Sequence, residues 1–522
     1  MSQILFDRLP IELIHSIFNY LLANDIFYAL FNLSPYLDFI ITNYDRYYLN
    51  FKSCRRSQFD FVCRHIRPDQ VVSLTLSDAN DTPDQSQLFF SYFKDIEHFV
   101  QLRSLRIIQI DKNSLKPLCI GLSQLKLLSS LEFTQVHSVS EQFNNVIVQL
   151  FPQLNRLILY DARHLTATTT TTHPFSRLRH LTLGECWFVH LQRISHLAPN
   201  LTSLDINVQE STTWPVLNYD QIPPQSLIRL ILNIENCSVT LDQIELLLSK
   251  LSRLKYFEIQ AQGNDDLCDS LRWQMLVSHL KIFNFKFKLF LQLSNDKQQE
   301  LLSSFSNPFW IVEKHWFIVC NQYEIYSVPR FAETSACESF LPPIYRTVSN
   351  ERLFYDHIFI LVLNKIDEQQ LLADHHRFPH VRVLLLAKHL SLDTLRSLVD
   401  LSQVQYLKAS LETFVQLADN MPRLRELALS SLSLNGLKTS GYEQIRILHL
   451  DKINFIGKND EKRLFHMFTR VERFYVHGEM QSRRQMARFI NGFHFLSYGS
   501  FEFEWLTTAR FVLAYGSKLI RT

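Results

Sequence analysis

One hexapeptide pattern, apolar-x-x-apolar-x-apolar, returns along almost the whole of this 522-residue chain. It reads LRSLRI from Leu102, LSSLEF from Leu128, LNRLIL from Leu154, LRHLTL from Leu178 and LTSLDI from Leu201. LIRLIL, LKYFEI and LKIFNF follow from Leu227, Leu254 and Leu280, so successive starts lie 26, 26, 24, 23, 26, 27 and 26 residues apart. A second run holds IFILVL, VRVLLL, VQYLKA, LRELAL, IRILHL and VERFYV, from Ile358, Val381, Val404, Leu424, Ile445 and Val471. VVSLTL at Val71 opens the series, and YGSFEF at Tyr498 reads as its close.

One copy would mean little in a leucine-rich chain, but fourteen at a 20 to 27 residue period are the signature of leucine-rich repeats. The last two apolar positions of each motif are two apart and share one face of a short strand. Amphipathic, helix-length pieces lie between strands: VHLQRISHLA (189–198), LDQIELLLSKL (241–251) and LETFVQLADN (411–420). Pro152, Pro199, Pro379 and Pro422 each stand two residues before a motif. Proline cannot continue a helix and holds its predecessor extended, so it ends each helix before the strand begins. The expected fold is α/β: a right-handed, horseshoe-like solenoid of parallel strands, each repeat burying its apolar face against its neighbours.

The ninth motif position, often Asn or Cys in such repeats, holds Ile110, Val136, Ala162, Cys186 and Gln209. Only Cys186 conforms, which points to the longer, helix-backed, less regular kind of repeat. Residues 287–357 break the rhythm. FWIVEKHWFIVCNQYEIYSVPRF there reads as two strands around a polar turn, a β-hairpin. His315 and Trp316 inside it are candidates for a site, against the ordinary reading of a strand tryptophan as core. The threonine run 168–172 reads as a surface loop.

The chain exceeds the size at which one core keeps growing, as a solenoid or several domains would require. Its formal charge of +2 carries no large basic tract, which gives no electrostatic reason to expect nucleic acid or an anionic membrane. Eight cysteines without a CxxC pair argue against a disulfide framework or a zinc ribbon. Cys54, Cys63 and His65 come nearest to a metal pattern and match no zinc template. No metal and no cofactor are expected. GxSxG, HExxH, GxxxxGKS/T and GxGxxG do not occur, and ten glycines leave little for phosphate loops. His477-Gly478-Glu479 has the HxE shape of a deaminase but lacks PCxxC after it, and His375-His376 read as loop residues. The chain is therefore expected not to be an enzyme. With no secretory-signal pattern and no run of about 18 apolar residues, the expected location is the cytoplasm, with the nucleus open.

The N-terminal stretch has a different rhythm. Leu9-Pro10 opens a helix with proline at its first position. Leu13, Ile14, Ile17, Phe18, Leu21 and Leu22 then form a helical stripe. Asp25 is placed to cap a second helix, and Ser34-Pro35 to open a third. Three short helices cannot bury so many large side chains among themselves, so the excess must cover the first repeat or dock on another protein.

Leu9-Pro10-Ile11-Glu12-Leu13, with Ile17-Phe18, Tyr20-Leu21 and Asp25, resembles an F-box. The likeness covers residues 5–45 and weakens in its second half, where LDFIITNYDRYY replaces the usual ending. An F-box followed by leucine-rich repeats is a known arrangement. The resemblance implies a substrate-recognition subunit of an SCF-type ubiquitin ligase, in which the F-box docks on the Skp adaptor, and through it a cullin, and the repeats hold a target protein. Carried over by position, Leu9, Pro10, Leu13, Ile17 and Leu21 would contact the adaptor. The alternative is a repeat scaffold outside any ligase, whose N-terminal helices only cap the solenoid.

The implied organisation is an F-box-like module over 1–50 and repeats over 51–286. An irregular insertion with a β-hairpin follows over 287–357, then a second run of repeats with its cap over 358–522. Motif residues flanking the apolar positions face out of the strands. Arg156, Tyr160, His180, Asp205, Arg229, Tyr256 and Glu258 are the candidates for target binding in the first run, with Tyr406, Arg473 and Tyr475 in the second. Arg106, Glu132, Asn207, Lys408, His449 and His477 occupy equivalent places. Tyrosine and arginine are over-represented in binding hot spots, and the mixed charge favours a protein partner over nucleic acid or membrane.

Overall fold

The computed structural model describes residues 9–79, 82, 84–110, 115, 118, 120–134, 149–150, 152–161, 175–187, 194, 197–209, 225–337, 345–363, 378–388, 390–431, 441–451, 458–476, 483–496, 498–501, 511–513 and 520–521. The chain divides into two compact units, Met1–Trp316 with Cys320–Tyr326, and Phe317–Val319 with Ser327–Thr522.

The first unit opens with three helices, α1 (Ile11–Phe18), α2 (Ala23–Leu30) and α3 (Pro35–Asn43). Ser34 caps α3 as expected, its hydroxyl accepting the Leu37 N–H at 3.2 Å with Pro35 in the first turn. Two local expectations shift. Pro10 occupies the cap of α1 rather than its first helical position. Asp25 sits inside the first turn of α2, where Leu22 holds the cap position. There its carboxylate still meets the positive end of the helix, which serves the same electrostatic preference.

A sheet of twelve strands follows among the described residues, its first ten in chain order and parallel. They are β1 (Tyr47–Asn50), β2 (Val71–Ser77), β3 (Ser104–Ile108), β4 (Ser130–Thr134) and β5 (Arg156–Asp161), then β6 (His180–Cys186), β7 (Ser203–Gln209), β8 (Arg229–Val239), β9 (Tyr256–Gly263) and β10 (Ile282–Leu289). The fourth and sixth motif positions are buried as the pattern requires: Leu105 and Ile107, Leu204 and Ile206, Phe257 and Ile259, Phe283 and Phe285. Each such side chain contributes about 1.5–3 kcal/mol by leaving water. Cys186, the one conforming ninth-position residue, donates its thiol to the Asn207 carbonyl at 3.2 Å.

The sheet starts earlier than the motif did. YYLN carries no recognisable motif, yet β1 pairs parallel with β2, Tyr48 opposite Ser73, so the helical module gives way to the sheet at Tyr47, inside the 1–50 segment. Phe27 of α2 packs on Tyr47 of β1 at 5.4 Å, and Phe31 on Phe61 of α4 (Arg56–His65) at 5.7 Å. These rings pack the helical module against the first strand of the sheet and the helix that follows it.

Of the predicted inter-strand helices, Leu241–Ser249 and Leu411–Leu417 form as read. The piece 189–198 lies almost wholly outside the described residues, as do the threonine run, Val136 and Ala162. The helix Leu241–Ser249 starts in a reciprocal cap: Thr240 Oγ1 accepts the Gln243 N–H (3.4 Å), and Gln243 Oε1 accepts the Thr240 N–H (2.9 Å). Thr240→Ala is expected to destabilise the first unit by about 1 kcal/mol, read as a lower urea midpoint at unchanged m-value.

Residues 287–357 are not one insertion. β10 runs through to Leu289, and a hairpin of β11 (Phe317–Cys320) and β12 (Glu324–Val328) follows around the predicted polar turn. Asn321 closes that turn, its N–H donating to the Glu324 carbonyl at 2.8 Å. β12 pairs antiparallel with β10, Lys286 opposite Tyr326. Phe309–Glu313, read as part of a strand, is instead a single turn of π-helix. It buries Trp310 against Phe305 (4.9 Å) and Phe309 (5.3 Å), and that packing overrides the β-propensity of FWIVE.

The second unit repeats the design. Its sheet orders β13 (Ser335–Cys337), β14 (Ile360–Leu363), β15 (Val383–Leu386), β16 (Tyr406–Ser410), β17 (Glu426–Ser431), β18 (Ile447–Leu450), β19 (Arg473–Val476), β20 (Tyr498–Phe501), β21 (Phe511–Leu513) and β22 (Ile520–Arg521). β13 pairs parallel with β14, so this sheet begins at Ser335 and not at the first legible motif, Ile358. The last two strands turn antiparallel. Behind the sheet, Arg488 forks onto the buried Glu461 with contacts of 2.6 and 2.8 Å, joining helices Arg483–Gly492 and Lys458–Met467. The result is a mixed α/β protein with large parallel sheets, consistent with a solenoid-like fold of leucine-rich repeats.

Candidate functional site

The N-terminal stripe divides between two faces of α1. Ile14 and Phe18 point inward, with Phe18 edge-on to Tyr44 at 5.3 Å. Leu13 points outward at 51% exposure, Pro10 is exposed, and Leu9, Ile17 and Leu21 are half-buried. Tyr36 of α3 donates its hydroxyl to the Leu9 carbonyl at 2.9 Å, which fixes the entry to α1. Tyr20 and Phe39 add exposed rings to the same three-helix segment. One set of apolar side chains is thus used in packing while another stays in water.

On the outward face of the first sheet, parallel register lines up residues from successive strands. Arg156 stands opposite His180, His180 opposite Ser203, Ser203 opposite Arg229, and Arg229 opposite Tyr256. Four of the sequence candidates therefore share one row. Asp205 and Glu258 belong to the next row, separated by Ile231, and Tyr160 is exposed further along β5.

The Arg229 guanidinium lies 4.8 Å over the Tyr256 ring. The Tyr256 hydroxyl donates to Glu258 Oε2 at 2.7 Å and stands 3.5 Å from Asn284 Nδ2. Burial, and then the Glu258 carboxylate, raise the Tyr256 pKa above its ordinary value. Glu258 itself is 1% exposed, which corrects its expected role: it holds Tyr256 in place and offers no surface to a partner. His180 titrates below its usual range, first because of burial and then because Arg156 and Arg229 act on it.

In the second sheet the register row Tyr406, Glu426, Ile447, Arg473 runs beside the row Lys408, Ala428, His449, Tyr475. His449 Nε2 lies 2.9 Å from Glu426 Oε1, and its ring stacks on Tyr475 at 4.4 Å and 6°. Tyr406 approaches the same imidazole edge-on at 6.4 Å, and Lys408 pairs with Asp451 at 2.5 Å. Burial, then Glu426 and Asp451, raise the Tyr406 pKa. Sequence reasoning missed Glu426 and Asp451. Glu426 holds the same third motif position as Arg156 and His180, so its signal was present, whereas Asp451 follows the motif and had none. His477, with Gly478 and Glu479, lies outside the described residues, as do His375 and His376.

The remaining candidates take structural places. Burial pushes the Cys63 thiol up and the Cys54 thiol up to about 12, while the His65 ring packs at a tilt against Phe61 at 4.6 Å and Phe31 at 4.7 Å. Among the described residues no three His, Cys, Asp or Glu side chains gather into a metal-binding group. Trp316 is buried against Phe283 (5.7 Å), and His315 is exposed with a φ of 55°. No helix among the described residues is long and apolar enough to cross a membrane.

No family model matches the chain, and no curated protein matches it. Among solved structures it is similar to one described as a TLR13–ssRNA13 complex, at 15% identity and a TM-score of 0.30. The match covers 79% of this chain and spans 62% of that one.

Proposed function

We propose that this chain is the substrate-recognition subunit of an SCF-type ubiquitin ligase, with its N-terminal helices docked on a Skp-type adaptor and its sheets holding a target protein. The reading rests on one observation above the others: α1 keeps Pro10 and Leu13 exposed on the Leu-Pro-x-Glu-Leu stretch after Ile14 and Phe18 have been used for packing. A helix serving only as a cap gains nothing from a second apolar face in water. The chain recruits a cullin through the adaptor and contributes no catalytic group, metal or cofactor. Ubiquitin transfer is then accelerated in trans by proximity. Neither nucleic acid nor membrane is a partner in this scheme, and it operates in the cytoplasm or nucleus.

The scaffold alternative draws on the packing of Phe27 and Phe31 over Tyr47 and Phe61, which is what an end cap does. A pulldown separates the two. Full-length chain should capture purified Skp-type adaptor, and the chain lacking residues 1–45 should not. A folded full-length chain, verified by circular dichroism, that captures no adaptor leaves the scaffold.

A further inference from the structure

We propose that the Arg156–His180–Arg229 row on the first sheet is the docking track for an extended, acidic peptide segment whose carboxylates pair with the two arginines. The inference deepens the substrate-receptor reading and rests on it for the identity of the peptide as part of a target.

Three cationic or ionisable side chains occupy one register row on β5, β6 and β8. Two other basic residues on this sheet are paired from within: Arg106 with Glu132 at 2.8 Å and Lys286 with Glu324 at 3.1 Å. Arg156, His180 and Arg229 have no carboxylate at ion-pair distance among the described residues. Like charges gathered along neighbouring strands cost stability, and no ion pair among the described residues offsets that cost. The His180 pKa is lowered first by burial and then by Arg156 and Arg229, so both arginines act on the middle of the row. Arg229 is moreover held over Tyr256, whose hydroxyl is tied to the buried Glu258. That arrangement fixes the guanidinium before any ligand arrives and lowers the entropy lost on binding.

Spacing selects the ligand. Neighbouring strands are about 4.8 Å apart, so Arg156 and Arg229, three strands apart, stand about 14 Å from each other. An extended peptide advances about 3.3 Å per residue, so acidic side chains at i and i+4 span about 13 Å and meet both arginines. Ser203, between them in the row, offers a hydroxyl to such a chain. The phosphates of a single-stranded nucleic acid would present the same charge, but a chain of net charge +2 with so short a cationic row lacks the extended basic footprint such ligands use.

The test uses the full chain and fluorescein-labelled decaglutamate, decaglutamine and an oligouridine of matching length, read by anisotropy at low and physiological salt. Decaglutamate is expected to bind salt-sensitively and decaglutamine not at all. Arg156→Gln and Arg229→Gln should each weaken binding by about tenfold, in line with loss of a charge-assisted hydrogen bond. Arg253→Gln, an exposed turn residue off the row, is the control for net charge and should change nothing. The proposal is overturned if decaglutamate binds no better than decaglutamine, if Arg253→Gln weakens it equally, or if only oligouridine binding depends on the row. Adaptor capture is measured on the same preparations. Row-dependent binding without capture retains the peptide track and removes the ligase assignment; capture without row-dependent binding does the reverse.

Discussion

Leu13→Glu is expected to abolish capture of the Skp-type adaptor while leaving the chain as stable as before. Leu13 is 51% exposed on α1, so a carboxylate there stays hydrated in the free chain, and exposed substitutions usually move stability by less than about 0.5 kcal/mol. In the complex the same carboxylate would be stripped of water against an apolar surface. Losing a central apolar anchor typically costs at least about 2 kcal/mol, roughly thirtyfold in affinity, and an unpaired buried charge adds to it. Ile17→Glu should act in the same direction with some loss of stability, because Ile17 is half-buried. Ile14→Ala supplies the contrast: its side chain is fully buried, so the chain should lose stability by about 2–5 kcal/mol. Adaptor co-purifying equally well with Leu13→Glu would show that this face is not the interface.

The largest stability effect is expected at Trp273→Ala. Trp273 lies in helix Ser270–Val277, is fully buried, and stacks over β10 at 5.0 Å from Phe283 and 5.5 Å from Phe287. Its indole N–H donates to the Leu267 carbonyl at 2.9 Å. Truncation leaves a cavity worth about 3–5 kcal/mol, and the stranded carbonyl adds about 1 kcal/mol or more. In a solenoid each repeat depends on its neighbours, so the loss should appear as an early transition in urea unfolding of the first unit, with reduced near-ultraviolet dichroism. An unchanged first transition would mean that this helix is not what holds β10 in place.

Legibility in the sequence followed the range of the interactions involved. Ser34 could be read as a cap, and Asn321 as part of a turn, because each is satisfied within three residues. Leu105 and Ile107 could be read as core because a two-residue period is a local property of a strand. β1 and β13 escaped because YYLN and SAC carry no motif: β1 is a strand through its pairing with β2, and β13 through its pairing with β14. Phe309–Glu313 went wrong because local propensity lost to the packing of Trp310. Among the candidate residues, motif position was enough to place Arg156, His180, Arg229 and Tyr256 on the outward side of their strands. It was not enough to place Glu258, since nothing in LKYFEI tells an exposed carboxylate from one bonded to its neighbour two residues away.

By itself, then, the sequence determined a repeating parallel strand with two inward apolar positions, a helical segment ahead of it, and which residue types leave the strands. A period and a cap are set by neighbours along the chain. Tertiary structure alone decided which face of α1 remains in water, that Glu426 and Asp451 reach His449 and Lys408, and that among the described residues Arg156 and Arg229 meet no internal carboxylate while Arg106 meets one. Those outcomes depend on strand register and burial, which bring together residues twenty or more positions apart and which no local pattern encodes.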